Sequence, residues 1–420
     1  MEEVTEKSLA FMKSARQQLD ILLSETPAMA RTREQSAFDD VAAGQRKIVI
    51  VGAGRLGRKL LKGLSATDLK PVAFADNNPR RWGTMLDGLP VLAPQDAADR
   101  FSLEAIFVIA IWHPSRAPLI ARLLEQFRKL RCRAVPFPVL FWRHPGIFLP
   151  YYFWDLPSRL LPRDADLVAA FSLLEDDVSR DTFLALVRLR LHADFDSIGA
   201  PSSAEQYFPG LFSLSPTECF VDCGAYTGDT IRSLIAESGN SFRKAIAFEA
   251  DAAVLPTLQN LIEEVGDRSV LHKAAVGAHT GFVSFSGDGM GGGCITAGSG
   301  VDVPCVRLDD ALARETPTFI KMDIEGAELD ALEGSRSVIQ RDRPVLAICG
   351  YHAPDHLSRV LSLLKDLAPD SLLFLRAHCA DGLDTVCYAI PPERRAGIAS
   401  GPQGTYPAMR KSGAAAGSTV

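Results

Sequence analysis

The hydrophobic positions of the chain alternate twice between short buried-strand runs and amphipathic helical stretches. Between residues 46 and 140, the apolar runs KIVIV, KPVAFAD and AIFVIAIW are separated by helical patterns such as GRKLLKGLSA. A second alternation starts at residue 218 with CFVDCGA and ends with LLFLRAH and TVCYAI, which a short D-G turn joins. Strands alternating with helices are typical of doubly wound parallel sheets, and the D-G turn predicts an antiparallel hairpin. The pattern predicts an α/β protein with two Rossmann-like doubly wound sheets.

The remaining segments complete a five-part organisation. An amphipathic pattern near the N-terminus places four apolar residues on one face of a helix: Leu9, Met12, Leu19 and Leu22. This pattern predicts a docking or self-association helix. A membrane-surface helix and a homo-oligomer remain open. An aromatic, proline-rich stretch after residue 135 is too apolar for a free linker, so we expect it to pack between domains. The predicted segments are an N-terminal helix and linker (1–45), a small nucleotide-binding domain (46–140), an aromatic and helical connector (141–204), a second α/β domain (205–392) and a disordered tail (393–420).

Composition narrows the classes of protein that fit. The formal net charge is −6, and Lys and Arg are not clustered, which argues against a nucleic-acid-binding surface. The eight cysteines form no C-x-x-C pair and no zinc-finger spacing, so we expect reduced, buried thiols and a cytoplasmic protein. The N-terminus lacks the apolar region of a signal peptide, and no apolar run approaches the roughly 20 residues that span a bilayer.

The first glycine loop predicts a nucleotide site. Gly52, Gly54 and Gly57 form G-x-G-x-x-G between a strand and a helix, and Asp76 closes the next strand, where an acid can bind a ribose diol. The bound molecule is then a nucleotide, NAD(P) or a nucleotide sugar. An oxidoreductase, a recognition module and a scaffold without ligand remain alternatives, although no hydride-transfer constellation follows. The stretch DNNPRRWG…LDGLPVL resembles the small N-terminal domains of sugar acyltransferases, which implies a nucleotide-sugar ligand.

The second glycine loop, FVDCGAYTGDT at 220–230, predicts an adenosyl ligand. Glycines without a Cβ can let a ligand approach the backbone, and Asp222 is placed for the amino group of S-adenosylmethionine. Glu249 ends the following strand, where a carboxylate can accept from both ribose hydroxyls. The candidate cofactor-binding residues are Asp222, Gly224, Gly228, Asp229, Glu249 and Asn260.

The segment TFIKMDIEGAELDALEG (318–334) places four charges at the end of an apolar strand. Lys321, Asp323, Glu325 and Glu328 should meet where an open α/β sheet binds its ligands. This predicts a site role for Asp323 and Glu325, with an ion pair between Lys321 and an acid as the alternative.

Several segments together resemble the FkbM-type S-adenosylmethionine-dependent methyltransferases. They include ECFVDCGAYTGDT, HKAAVG, KMDIEGAELDALEG and LAICGYHAPDHL, in this order, and the resemblance covers residues 205–392. It implies a class I methyltransferase fold with a terminal antiparallel hairpin. It also implies O-methylation of a hydroxyl on a sugar or sugar-containing small molecule, with S-adenosylmethionine as cofactor.

An alcohol is a weak nucleophile at neutral pH, so we expect a general base. Asp323 is the first candidate and His352 the second, and His378 could line the same cleft. Glu325 and Glu328 could orient Lys321 or the acceptor. The predicted catalytic residues are therefore Asp323, His352, Lys321 and Glu325.

No metal site is assigned from the sequence, although a divalent metal on Asp323 and Glu325 stays open. The glycine-rich stretch around Gly287–Gly300 is either a lid that closes over substrate or a surface loop.

Overall fold

The computed structural model describes residues 2–396 except 203, 288, 297 and 299, with side chains from residue 13 onward. Three helices open the chain: α1 (Glu2–Leu23), α2 (Pro27–Ser36) and α3 (Asp39–Ala42). Leu19 and Leu22 of α1 are buried, as the amphipathic pattern predicts. The expectation of a linker after α1 is wrong, because Thr26 caps α2 through the Met29 amide and Pro27 opens its first turn. The predicted disordered tail starts too early, because Arg394 donates to Glu218 at 2.8 Å and the Ala396 amide donates to the Leu211 carbonyl at 3.0 Å. The rest of the predicted tail, from 397 onward, lies outside the described residues.

The first sheet has six strands in the order β3-β4-β2-β1-β5-β6. Only the short pair of β3 and β4 is antiparallel, so the predicted Rossmann-like pattern is confirmed here. Its elements are β1 (Lys47–Val51), α4 (Arg55–Leu64), β2 (Pro71–Ala75), β3 (Met85–Leu86), β4 (Leu89–Leu92), α5 (Pro94–Phe101), β5 (Ala105–Ile109), α6 (Leu119–Lys129) and β6 (Arg133–Pro136).

The connector is helical and its aromatic side chains are buried. Trp112, which follows β5, lies against the rings of Tyr151, Tyr152, Phe153 and Trp154 with centroids 5.3–6.4 Å apart. These rings belong to a hydrophobic core that also contains side chains of both large sheets, in agreement with the expected packing between them. The helices are α7 (Phe137–Arg143), α8 (Pro145–Phe148), α9 (Pro157–Leu160), α10 (Asp164–Ser172) and α11 (Asp177–His192).

The second large sheet has seven strands in the order β16-β17-β15-β14-β7-β8-β9, and β17 is antiparallel to both of its neighbours. This confirms the class I methyltransferase fold with its terminal hairpin. The elements up to the sheet centre are β7 (Cys219–Cys223), α12 (Asp229–Glu237), β8 (Lys244–Phe248), α13 (Leu255–Val265), β9 (Ser269–His272), β10 (Ala275–Val276), β11 (Gly281–Ser286), β12 (Cys294–Ile295), β13 (Val301–Val306) and α14 (Leu308–Ala311). The remaining elements are β14 (Phe319–Met322), α15 (Glu328–Glu333), α16 (Arg336–Asp342), β15 (Val345–Cys349), α17 (His356–Leu367), β16 (Leu372–Ala377) and β17 (Thr385–Ile390).

The glycine-rich stretch is part of a small third sheet in the order β10-β13-β11-β12. The main ladder is the antiparallel pairing of β11 with β13, and β12 pairs with the far end of β11. The glycine-rich stretch therefore includes a short strand, β12, and connects antiparallel strands. Among the described helices, none has both the length and the apolar character needed to cross a membrane.

Candidate functional site

One cavity of about 930 Å³ lies between the carboxyl ends of the two large sheets. The loops after β1 and β5 form one wall, and the loops after β7, β8, β14 and β15 form the other. Carboxyl ends of parallel strands are where open α/β sheets bind ligands. Residues on the first wall include Gly54, Arg55, Lys59, Trp112, His113, Tyr151 and Tyr152. Residues on the second wall include Gly224, Asp229, Glu249, Lys321, Asp323, Glu325 and Tyr351.

A buried ion pair supports the second glycine loop from below. Lys321 lies in β14, which is flanked by β7 and β15, and its Nζ is 2.8 Å from Oδ1 of Asp222. The same Nζ donates to the carbonyl oxygens of Gly224 at 2.6 Å and Cys223 at 3.3 Å. Burial raises the pKa of Asp222 to about 6 despite Lys321. Burial alone would lower the pKa of Lys321, but Asp222 and Asp323 raise it, so both groups are charged at pH 7.

The glycines of this loop serve packing more than ligand approach. Gly224 has φ +76°, and a Cβ there would lie 1.9 Å from the Asp323 carbonyl oxygen. Gly228 has φ +83°, and its Cβ would lie 2.2 Å from the Leu261 side chain. The expectation that the missing Cβ atoms leave room for a ligand is therefore wrong for Gly228, where protein fills the space. Asn260 is exposed on α13 and does not line the cavity, unlike Asp229.

Glu249 holds the loop that follows β8. Its Oε2 accepts from the Tyr226 amide at 2.8 Å, and its Oε1 accepts from the amides of Ala250 and Asp251 at 2.8 and 2.7 Å. An ionised carboxylate offers about four acceptor positions, so three bonds leave capacity for a ribose hydroxyl. Oδ2 of Asp222 is buried and accepts no hydrogen bond from the described residues. Both carboxylates therefore fit a polar ligand such as S-adenosylmethionine, Glu249 at the cavity wall and Asp222 one layer behind it.

Three acids surround His352, and two of them, Asp323 and Glu325, line the cavity. Glu328 is fully buried, and its Oε1 lies 2.7 Å from His352 Nδ1. Because an ionised carboxylate only accepts, Nδ1 carries the hydrogen. His352 Nε2 then lies 3.3 Å from Asp323 Oδ1 and 3.7 Å from Glu325 Oε1. The four predicted residues after β14 and β15 therefore meet, as the sequence indicates.

The electrostatics of this cluster argue against the predicted role of His352 as a neutral base. Burial would lower its pKa, but Glu328, Asp323 and Glu325 together raise the pKa to about 10. An imidazole with that pKa is protonated at pH 7 and cannot accept a proton. The prediction that His378 lines the same cleft is also wrong. It is buried against the Tyr388 hydroxyl, burial lowers its pKa to about 4, and it does not line the cavity.

Asp323 lines the cavity, as expected of a residue that contacts the acceptor. Its Oδ2 accepts from the Tyr207 hydroxyl at 2.7 Å, and its Oδ1 from the Tyr351 hydroxyl at 3.4 Å. Burial would raise the pKa of Asp323, but His352 and Lys321 lower it, so the group is an ionised but weak base. Sequence reasoning missed both tyrosines, because they are far from Asp323 along the chain. Their place in the segments YFPGLF and CGYHAP, next to the motifs, was the available signal.

The first glycine loop opens onto the same cavity. Gly57 allows helix and strand to pack closely, since a Cβ there would lie 1.9 Å from the Gly52 carbonyl oxygen. Gly54 has open space where a Cβ would be and lines the cavity. Asp76 is occupied by the protein: its carboxylate accepts from the amides of Ala53 and Asn78, both at 2.8 Å, and pairs with Arg81 at 3.1 Å. This leaves Asp76 less free for a ribose diol than its position in the sequence suggests.

Comparisons with known proteins agree with the fold. Residues 222–369 match the methyltransferase FkbM domain. A search of curated proteins gave no match. The crystal structure of a methyltransferase FkbM from Methylobacillus flagellatus KT is similar over 91% of this chain and 100% of that chain, with 25% identity and a TM-score of 0.72.

Two further solved structures are similar to parts of this chain. A UDP-D-quinovosamine 4-dehydrogenase from Vibrio fischeri covers 22% of this chain and 77% of its own, with 21% identity and a TM-score of 0.19. A precorrin-6y C5,15-methyltransferase from Geobacter metallireducens GS-15 covers 43% and 83%, with 12% identity and a TM-score of 0.28. At these TM-scores neither match bears on function.

Proposed function

We propose that this chain, which carries a methyltransferase FkbM domain and is a methyltransferase, methylates a hydroxyl of a nucleotide-linked sugar with S-adenosylmethionine as the methyl donor. The broader class of acceptor is a sugar or a sugar-containing small molecule. The observation that carries the proposal is that both glycine loops line one cavity.

The second sheet provides the cofactor side. Glu249 and Asp229 line the cavity where the adenosyl portion would bind, and Asp222 lies behind Lys321 with one carboxylate oxygen unpaired. Phe248, stacked on His272 with ring centroids 4.6 Å apart, adds an aromatic surface at the same wall. Bound S-adenosylmethionine supplies an electrophilic methyl group, so the protein has to position the acceptor and assist loss of its proton.

The first sheet provides the acceptor side. Helix α4 begins at the cavity with Gly54 as its N-cap, and the N-terminus of a helix favours an anionic group such as a phosphate. Lys59 lies 3.7 Å from the centre of the Tyr151 ring, and Trp112 and Tyr152 line the same wall. Aromatic faces beside cations suit a nucleobase or a sugar that carries a phosphate. Because Asp323 lines the same cavity, an acceptor held on this wall can place its sugar at Asp323.

Two binding experiments test the cofactor side. Isothermal titration of the wild-type chain with S-adenosylmethionine should give one saturable site. Glu249→Ala should weaken the affinity for S-adenosylmethionine by about tenfold or more, because the variant loses both the hydrogen bonds that hold the loop and the acceptor for the ribose. Glu264→Ala changes an exposed carboxylate on α13 and serves as the matched control. Absence of wild-type binding, or equal affinities in both variants, would refute the cofactor assignment.

The acceptor side needs a separate experiment. Transfer of a labelled methyl group should be more efficient to nucleotide-linked sugars than to the same free sugars. Gly54→Val, which adds a branched side chain at the cavity wall, should raise the KM for the acceptor and leave the affinity for S-adenosylmethionine unchanged. Equal efficiency with free sugars would remove the nucleotide-sugar assignment. NAD(P) binding with hydride transfer would favour the oxidoreductase alternative.

A further inference from the structure

Three potential metal ligands converge at the edge of the cavity, which two of them line. Asp323 and Glu325 come from the loop after β14, and His352 comes from the loop after β15. One ligand atom from each residue lies within 4.8 Å of the other two. Acidic groups often cluster without a metal, so the state of the histidine decides what the cluster can bind.

His352 has the orientation of a metal ligand. Its side chain is 1% exposed, and its Nε2 is buried without a hydrogen-bond partner among the described residues. Its Nδ1 donates to Glu328 at 2.7 Å, which turns Nε2 toward Asp323 and Glu325. A carboxylate on one ring nitrogen is the usual partner of a histidine whose other nitrogen binds a metal.

The distances between the ligand atoms are close to those between neighbouring ligands of one metal ion. Metal–ligand distances of about 2.1 Å place neighbouring ligands of an octahedral ion about 3 Å apart. His352 Nε2 is 3.3 Å from Asp323 Oδ1 and 3.7 Å from Glu325 Oε1. Small side-chain rotations would bring all three atoms to bonding distance of one ion.

The surrounding residues hold all three ligands in place. Tyr207 and Tyr351 donate to the carboxylate of Asp323. Glu328 accepts from the amides of Ile324 at 2.9 Å and Gly326 at 3.1 Å, so one carboxylate orients both the loop of Glu325 and the ring of His352. Glu325 has φ +52°, a conformation that L-residues adopt rarely and that persists only where the surroundings impose it.

We propose that Asp323, Glu325 and His352 form a binding site for one divalent cation of the first transition row. Two carboxylates and an imidazole suit Mn²⁺ or Fe²⁺, and both carboxylates line the cavity. The role of the ion rests on the proposed function. The ion would take the place of the Nε2 proton of His352. A hydroxyl of the acceptor that binds the ion would then lose its proton to solvent water more easily.

Manganese binding to the full chain tests the site. After treatment with EDTA, wild-type protein titrated with Mn²⁺ should bind one ion per chain by electron paramagnetic resonance. Glu325→Gln should weaken binding about tenfold or more, because it removes a charged ligand from a partly exposed position. Glu328→Gln should weaken it by about 10–100-fold, as expected for an outer-shell partner. Asp330→Asn, an exposed carboxylate on the same helix as Glu328, should leave the affinity unchanged.

A spectroscopic readout identifies the histidine. Electron spin echo modulation of the Mn²⁺ complex should show coupling to a ¹⁴N nucleus, and His352→Gln should abolish it. Equal Mn²⁺ affinity in the wild type and Glu325→Gln, or a wild-type complex without nitrogen coupling, would overturn the proposal. S-adenosylmethionine titrations are independent of this result. Cofactor binding without Mn²⁺ binding refutes the metal site alone, whereas Mn²⁺ binding without cofactor binding supports the metal site and refutes the methyltransfer proposal.

Discussion

Lys321 and Asp222 form an ion pair of 2.8 Å in the centre of the second sheet, with side chains 3% and 0% exposed. The ammonium group also donates to the carbonyl of Gly224, so the pair ties β14 to the loop after β7. These contacts place Lys321 under the cofactor loop, where it positions the backbone. This differs from the catalytic role that the sequence predicts for Lys321, and it agrees with the ion-pair alternative.

Removal of one partner should be strongly destabilising. Lys321→Met leaves the carboxylate of Asp222 buried without a counter-charge, which typically costs about 3–5 kcal/mol. Lys273→Met, at an exposed position in the same half of the chain, should change the free energy of unfolding by less than about 0.5 kcal/mol. Urea denaturation measures both. A double variant with Asp222→Asn should recover part of the loss, and a Lys321→Met protein as stable as the control would contradict the buried pair.

The second and third glycines of the first loop, Gly54 and Gly57, should respond differently to replacement by alanine. A Cβ at Gly57 would lie 1.9 Å from a backbone oxygen, so Gly57→Ala should destabilise by about 1–3 kcal/mol or more. Gly54 has open space and φ −95°, so Gly54→Ala should cost only about 0.5–1 kcal/mol as a weaker N-cap. Thermal unfolding of the two variants checks this. Equal melting temperatures would contradict the assigned contacts.

Sequence patterns predicted the parts of this molecule that depend on neighbours along the chain. The strands of both sheets follow from apolar runs, and the two glycine loops follow from the turns that those strands require. The cluster after β14 and β15 was also predictable, because parallel strands end at the same edge of a sheet. The helix α2 was missed, although Thr26 and Pro27 are an N-cap and a first-turn proline.

Contacts between distant parts of the chain could not be predicted in this way. The hydrogen bond from Tyr207 to Asp323 joins residues 116 positions apart, so it depends on how the fold brings the two segments together. The same holds for the cavity, which exists only because the connector packs the two sheets with their loops facing each other. Asn260 shows the opposite error, since its place on the helix after Glu249 suggested a contact that the helix orientation does not allow.

Asp251 should control the glycine-rich loop. Its Oδ2 accepts from the Gly289 amide at 2.9 Å, and the neighbouring residues Met290–Gly293 line the cavity. In Asp251→Asn, rotation of the amide to keep the Ala253 bond would place an NH₂ group against the Gly289 donor. Hydrogen exchange of a peptide covering residues 289–296 should therefore become faster. Asp267→Asn, an exposed change nearby, is the control, and equal exchange in both variants would refute the role of Asp251.

The β16–β17 hairpin carries a buried acid that links stability to pH. Asp381 lies in the turn, and its carbonyl oxygen accepts from the Trp112 indole at 3.4 Å. The amide of the preceding residue, Ala380, donates to the Ser115 carbonyl. Its Oδ1 accepts from the Leu383 amide at 3.3 Å. Burial raises the pKa of Asp381 to about 7, and the nearby charge of Asp384 adds to the effect.

Because the folded-state pKa of Asp381 lies above its unfolded value of about 4, the folded protein binds the proton more tightly. Its contribution to stability is therefore complete below about pH 4, falls as the pH rises, and is lost above about pH 7. Asp381→Asn keeps the acceptor for Leu383 and removes the charge, so it should stabilise by about 1–3 kcal/mol at pH 8 and by little at pH 4.5. Urea midpoints at both pH values measure the difference, with the exposed Asp302→Asn as control. The same gain at both pH values would show that the charge of Asp381 is not the cause.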